Sequence, residues 1–162
     1  MRIIADVMLQ KLARWLRLAG IRVYDTPYID DIKLIKYTKA LHGVLLTMDT
    51  GLIARAEKNK VKVVLVKGKN IAEQLAFVAK ALKLRISTNP SGICPYCNSK
   101  LIRVDKAKVL KYLPKNVAER KKVFYKCPKC KRVYWKGTHW DKISAVLKHA
   151  IKMEKKMKEN EQ

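Results

Sequence analysis

The four cysteines of this 162-residue chain fall into one pattern, Cys94-Pro-Tyr-Cys97 and Cys127-Pro-Lys-Cys130, and no other feature limits the fold as tightly. A CxxC knuckle is a tight turn that aims two sulfurs at one cation, and two knuckles complete a closed tetrahedral four-cysteine zinc site. A redox CxxC needs only one pair at a strand-to-helix junction, and disulfides are seldom kept by cytosolic proteins. Cys94, Cys97, Cys127 and Cys130 are therefore read as ligands of a structural zinc with no open position for chemistry. The knuckles are separated by 29 residues, more than the about 15 to 20 of a simple ribbon. The spacing predicts an elaborated zinc ribbon with hairpins of its own.

Ahead of the knuckles, short β-branched runs alternate with segments of helical period, which is the pattern of βαβ units and a parallel sheet. Strands are expected at 2–5, 21–24, 44–47 and 61–66, and helices at 9–18, from Asp30 and Asp31 to Leu41, at 50–59 and at 71–84. Gly20 and Gly43 punctuate the first two helices, and Asn70 with Glu73 resembles a capping box at the fourth. Four such units make a three-layer α/β/α sandwich. The turn formers of STNPSG at 87–92 mark the best boundary in the chain. The expected organisation is an α/β domain at 1–90, a zinc ribbon at 91–137, and a C-terminal segment at 138–162 whose helical period runs from Asp141 to about Lys158 and packs back on the first domain.

The charge is lopsided: 37 Lys and Arg against 13 Asp and Glu give a formal net charge of +24. About half the residues are apolar, so a core forms beneath this surface and a disordered chain is excluded. A folded polycation finds its commonest intracellular partner in nucleic acid, through Lys and Arg contacts to phosphate that release counterions. Residues 91–162 hold 20 basic and 6 acidic groups against 17 and 7 in residues 1–90, so the shorter part is the more basic. Between the knuckles the basic groups interleave with Tyr112, Phe124 and Tyr125, and Tyr96 lies within the first knuckle. That mixture suits phosphate contact plus base stacking, although Phe124 and Tyr125 are equally well explained as the core of a small module. No apolar run approaches the length of a membrane span, and the N-terminus lacks a signal-peptide pattern. A cytoplasmic protein is expected.

Carboxylates are scarce, and their positions are informative. Asp6 follows the first strand, Asp49 follows the third, and Asp30 and Asp31 open the second helix. The carboxyl ends of strands form the functional edge of an open parallel sheet, so Asp6 and Asp49 belong to one crevice. A helix N-terminus can deliver Asp30 or Asp31 to it. Converging carboxylates repel unless a divalent cation lies between them, and hard oxygen donors select Mg²⁺ or Mn²⁺. Such a site is equipped for metal-assisted phosphodiester hydrolysis. The competing explanation for Asp30 and Asp49 is helix capping, and for Asp6 no cap role is as natural.

The strings Asp6-Val-Met-Leu9, Lys11-Leu-Ala-Arg-Trp-Leu-Arg17, Asp30-Asp31-Ile-Lys-Leu, Leu45-Leu-Thr-Met-Asp49, the two knuckles and Tyr134-Trp-Lys-Gly-Thr-His-Trp140, in this order, resemble the PIN-like RNase family of the Mut-7 C-terminal type. The resemblance implies a PIN-type α/β/α nuclease fold with an inserted zinc ribbon, acting on RNA with Mg²⁺ or Mn²⁺ and leaving 5′-phosphate and 3′-hydroxyl ends. It implies that Asp6, Asp31 and Asp49 hold the catalytic metal, with Asp30 as a fourth carboxylate. Lys11, Arg14 and Arg17, at i, i+3 and i+6 of the first helix, are implied phosphate contacts, with a solvated helix face as the plainer reading. His139 is implied to bond substrate or a carboxylate, and a lone histidine is otherwise structural. Met48 stands where the family more often has arginine.

The expected function is a metal-dependent endoribonuclease whose zinc ribbon aids RNA binding. The alternative is a non-catalytic RNA-binding or ribosome-associated protein, bound for example to rRNA, whose charge and ribbon would look the same.

Overall fold

The computed structural model describes residues 1–26, 30–89 and 92–160. Pro90 and Ser91, inside the expected boundary segment, lie outside the described residues. The N-terminal part is a four-stranded parallel sheet built from β1 (Ile3–Ala5), β2 (Val23–Asp25), β3 (Val44–Thr47) and β4 (Lys62–Leu65), in the order β2-β1-β3-β4. Its helices are α1 (Gln10–Leu18), α2 (Asp31–Ala40), α3 (Thr50–Lys58) and α4 (Ile71–Ala81).

Both central strands are buried along their whole length, as strands covered on two faces must be, and this is why they read as unbroken apolar runs. Alternate side chains divide between the two faces. Ile3, Ala5, Val44 and Leu46 join Leu12, Leu16, Leu75 and Val78 beneath α1 and α4, whereas Ile4 and Leu45 join Leu34, Leu52 and Ala56 beneath α2 and α3. The result is the expected α/β/α sandwich.

All four of these helices stop in the same way. The residue after the C-cap takes a left-handed conformation (Gly20 φ 89°, His42 φ 47°, Lys60 φ 57°, Lys83 φ 52°). The next amide then bonds back to the helix, from Ile21 to Leu16, Gly43 to Thr38, Val61 to Ala56 and Leu84 to Ala79. This is the Schellman closure. Gly20 fills the left-handed position as expected, but at α2 that position belongs to His42, with Gly43 one residue later.

The ribbon is a three-stranded antiparallel sheet of β5 (Ile102–Val104), β6 (Phe124–Lys126) and β7 (Val133–Tyr134). Its insert differs from the expected hairpins. Between β5 and β6 the chain forms α5 (Lys106–Val109), a 3-10 turn at Leu110–Tyr112 and α6 (Lys115–Arg120). Pro114 precedes α6, where its missing N–H and fixed φ cost nothing, and the following KNVAER contains good helix formers. Among the described residues 92–137, only Cys94, Pro95, Val109, Phe124 and Cys127 are buried. Phe124 is thus core, whereas Tyr112 is 55% and Tyr96 44% exposed.

The final helix, α7 (Thr138–Glu159), starts three residues earlier than the apolar period suggests. It lies along α4, with Leu147 and Ala150 in the core and Ile143, Val146 and Met153 packed against it. Lys80 Nζ donates to the Met157 carbonyl at 2.8 Å across that contact. Among the described residues no helix is long and apolar enough to cross a membrane.

Candidate functional site

The chain enters at the middle strand β1, moves to β2 on one side and returns to β3 on the other. The direction of winding therefore reverses between β1 and β3, and the crevice outside the carboxyl ends of these two strands is where open α/β sheets bind ligands. Asp6 leaves β1 there and Asp49 leaves β3.

Asp6 is almost fully buried at 7% exposure. Its Oδ2 accepts a hydrogen bond from Thr47 Oγ1 at 2.8 Å, and the same hydroxyl oxygen accepts from the Asp49 N–H at 3.0 Å. One threonine at the end of β3 thus ties the two aspartates together. Asp49 also caps α3, its Oδ1 accepting from the Gly51 N–H at 2.7 Å. Asp30 caps α2 through the Lys33 N–H at 2.8 Å. The capping explanation thus holds for both, and at Asp6 the side chain makes no cap bond. Asp31, in the first turn of α2, is paired at 2.7 Å with Arg55 of α3. Arg55 Nε in turn donates to the Gly51 carbonyl at 3.2 Å. A continuous line of contacts therefore runs from Asp6 through Thr47, Asp49, Gly51 and Arg55 to Asp31.

The carboxylates are neighbours along this line without being gathered on one point. Among the described residues the four cysteines are the only group of three or more such donors poised for one ion. Asp6, Asp31 and Asp49 each commit one oxygen to a protein partner, and the other has no hydrogen bond among the described residues. Hard oxygen donors with open lone pairs fit a divalent cation of the Mg²⁺ or Mn²⁺ kind. Val7, Met8 and Met48, next to Asp6 and Asp49 in the chain, are exposed apolar residues beside this edge.

The basic residues of α1 separate into different roles. Lys11 and Arg14 are exposed, whereas Arg17 is 1% exposed and lies neither on a solvated face nor open to a phosphate. Its guanidinium donates to the Val23 carbonyl, to Asp25 Oδ1 at 2.7 Å, and to the Pro95 and Tyr96 carbonyls inside the first knuckle at 3.0 and 3.4 Å. It joins the parallel sheet to the ribbon. His139 is exposed in the first turn of α7, and no side-chain bond to a carboxylate holds it among the described residues.

The four-cysteine cluster is compact. Cys94 and Cys130 sulfurs lie 3.6 Å apart and those of Cys97 and Cys127 3.3 Å apart, with all four within 4.8 Å of one another. A tetrahedral zinc with bonds of about 2.3 Å requires sulfurs about 3.8 Å apart, so the donor set fits the metal. Each knuckle repeats one local geometry. The residue after the second cysteine is left-handed (Asn98 φ 62°, Lys131 φ 64°) and its amide bonds back to the first cysteine's carbonyl, at 2.9 and 3.0 Å. Burial pushes the Cys127 thiol up to about 12, while at Cys97 hydrogen bonds from Ser99 and the neighbouring thiols outweigh burial and bring it down to about 6. The Tyr134 hydroxyl lies 3.0 Å from Cys94 Sγ.

The sequence reading passed over Thr47, Arg55 and Asp25. Thr47 ends β3, and a threonine at a strand end carries no distinctive spacing. Asp25 ends β2 as Asp6 follows β1, and a strand read one residue short concealed it.

Comparison with curated proteins and with solved structures found no match. The family model of the Mut7-C RNAse domain matches residues 1–147. A parallel sheet with carboxylates at its switch point, joined by a buried arginine to a four-cysteine ribbon, is therefore the form taken by a chain that belongs to the Mut7-C RNAse domain family.

Proposed function

We propose that this protein is a PIN-type endoribonuclease that hydrolyses RNA with Mg²⁺ or Mn²⁺ at the crevice of Asp6, Asp31 and Asp49. The observation that carries the reading is the Thr47 hydroxyl, which links Asp6 and Asp49 at the switch point while leaving one oxygen of each open to a cation. When bound, the divalent ion would supply Lewis-acid activation and neutralise charge on the phosphodiester.

The chain's own residues do the rest. Thr47 fixes the rotamer of Asp6, and the α3 cap fixes that of Asp49, so neither carboxylate has to be ordered at the moment of reaction. Asp31 joins them from α2, held by Arg55, and Asp30 adds negative charge one residue away. Lys11 and Arg14 on α1 would hold backbone phosphates on the flank, and His139 would meet RNA from the start of α7. The zinc is structural, since four thiolates leave no open position. The ribbon with its basic insert, together with the surface charge of the whole chain, would hold the polyanion.

The test is cleavage of end-labelled RNA by the zinc-loaded protein with added Mn²⁺ or Mg²⁺. Cleavage should require the added ion and should fall by at least about a hundredfold in Asp6→Asn and Asp49→Asn, with melting curves confirming that both variants fold. A double variant that cuts as well as the parent would sink the proposal. Tight RNA binding without ion-dependent cleavage would return the non-catalytic, ribosome-associated reading.

A further inference from the structure

Two arginines from opposite ends of the chain meet on one exposed ring. Arg14 of α1 lies 4.8 Å from the centroid of Tyr96, and Arg132, just beyond the second knuckle, lies 4.1 Å from the same centroid. Tyr96 sits inside the first knuckle, and the carbonyl of the same residue takes the buried guanidinium of Arg17. Arg14 and Arg17 are i and i+3 on one face of α1. The inner arginine therefore anchors the knuckle backbone, and the outer one covers its side chain.

Neither Arg14 nor Arg132 is paired with a carboxylate among the described residues. Arg132 reaches instead toward the Cys130 sulfur. Both guanidiniums lie on one ring, so their charges are closer together than about 10 Å, the Debye length at 0.1 M ionic strength. Like charges brought this close by a fixed scaffold attract an anion that both can reach, and guanidinium forks match phosphate oxygens two at a time. The site is assembled from both modules, α1 supplying one fork and the ribbon the other, and the zinc knuckle fixes their spacing.

We propose that Arg14, Tyr96 and Arg132 form a phosphodiester-binding clamp at the seam between the parallel sheet and the zinc ribbon, holding the backbone of single-stranded RNA. This rests on the reading of RNA as the substrate, but it concerns binding rather than cleavage. Stacking on the tyrosine stiffens both guanidiniums, which lowers the entropy lost when they grip a phosphate.

The test is binding of a labelled dodecauridylate to the full-length zinc-loaded protein without Mg²⁺ or Mn²⁺, over a range of salt. Arg14→Gln and Arg132→Gln should each weaken binding about fivefold and flatten the plot of log K against log salt by about 0.7 per lost contact. The control is Lys58→Gln/Lys62→Gln, which removes two exposed charges from α3 and β4. It should change affinity less than about twofold. The clamp is overturned if Arg14→Gln/Arg132→Gln binds within twofold of the parent, or if the control loses as much. It is overturned as an RNA site if millimolar inorganic phosphate alone displaces the oligonucleotide. Failure of the nuclease reading would appear separately, as absent cleavage with binding intact.

Discussion

The two sheets of this molecule are held together by different physics. The parallel sheet buries its central strands on both faces and needs nothing but its own side chains. The ribbon, nearly a third of the chain, buries Pro95, Val109, Phe124 and two of its four cysteines among the described residues, far too little to offset its conformational entropy. A four-cysteine cluster that fits a structural zinc stands where a core would be. The same contrast governs the two metal-competent sites. The soft sulfur donors converge on one point in a closed geometry. The hard oxygen donors stay spread along a line of protein contacts, from the nearly buried Asp6 to the more exposed Asp49. On the proposed reading, donor chemistry keeps a folding metal and a reacting metal apart.

The largest expected effect is removal of zinc, by a strong chelator or by Cys127→Ser. Apparent binding energies of structural zinc run to about 10–16 kcal/mol, so the ribbon should lose its fold. The parallel sheet should keep its cooperative melt, which amide dispersion and calorimetry together would reveal. Loss of both sheets at once would break the comparison. Leu45→Ala is the reverse experiment. Leu45 is fully buried in β3, and the cavity should cost about 2–5 kcal/mol in denaturant unfolding with no change in zinc affinity.

How far the sequence carries depends on the same division. The strand–helix order was legible because buried parallel strands and amphipathic helices have distinct periods, and the knuckles because cysteine spacing is rigid. The short helices of the insert were not legible. They are too brief to develop a period, and only Val109 marks a buried position in them. At the crevice, Asp6, Asp30, Asp31 and Asp49 could be picked out by their places at strand and helix ends. Their partners could not, because Thr47–Asp6 and Arg55–Asp31 are contacts between segments 41 and 24 positions apart in the chain. The burial of Arg17 was concealed for a like reason, since its partners at Pro95 and Tyr96 lie in the other module.

A smaller effect should come from Thr47→Val. It removes the hydroxyl that Asp6 and the Asp49 amide share, leaves a nearly buried carboxylate without its donor, and should cost about 1–3 kcal/mol. The added Mn²⁺ needed for half-maximal cleavage should also rise, sharpening the distinction between a preassembled zinc site and an oxygen site that relies on outside support. Smallest of all is Lys83→Gly. Lys83 holds the left-handed position after α4 and glycine suits it better, so stability should rise by about 0.5–1 kcal/mol, read as a higher melting temperature with ribbon and cleavage unchanged.

The repeated knuckle has a consequence for how this family can vary. Each knuckle is a local turn closed by its own backbone bond, and the zinc unites two finished pieces rather than shaping one. The stretch between them acts as a tether. Joining two ends grows harder only with the logarithm of tether length, by about 0.6 kcal/mol for each doubling. The 19 residues between β5 and β6, seven of them Lys or Arg, can therefore lengthen, shorten or, away from the buried Val109, change sequence at little cost to the metal centre. Substrate preference could be revised there without disturbing either sheet.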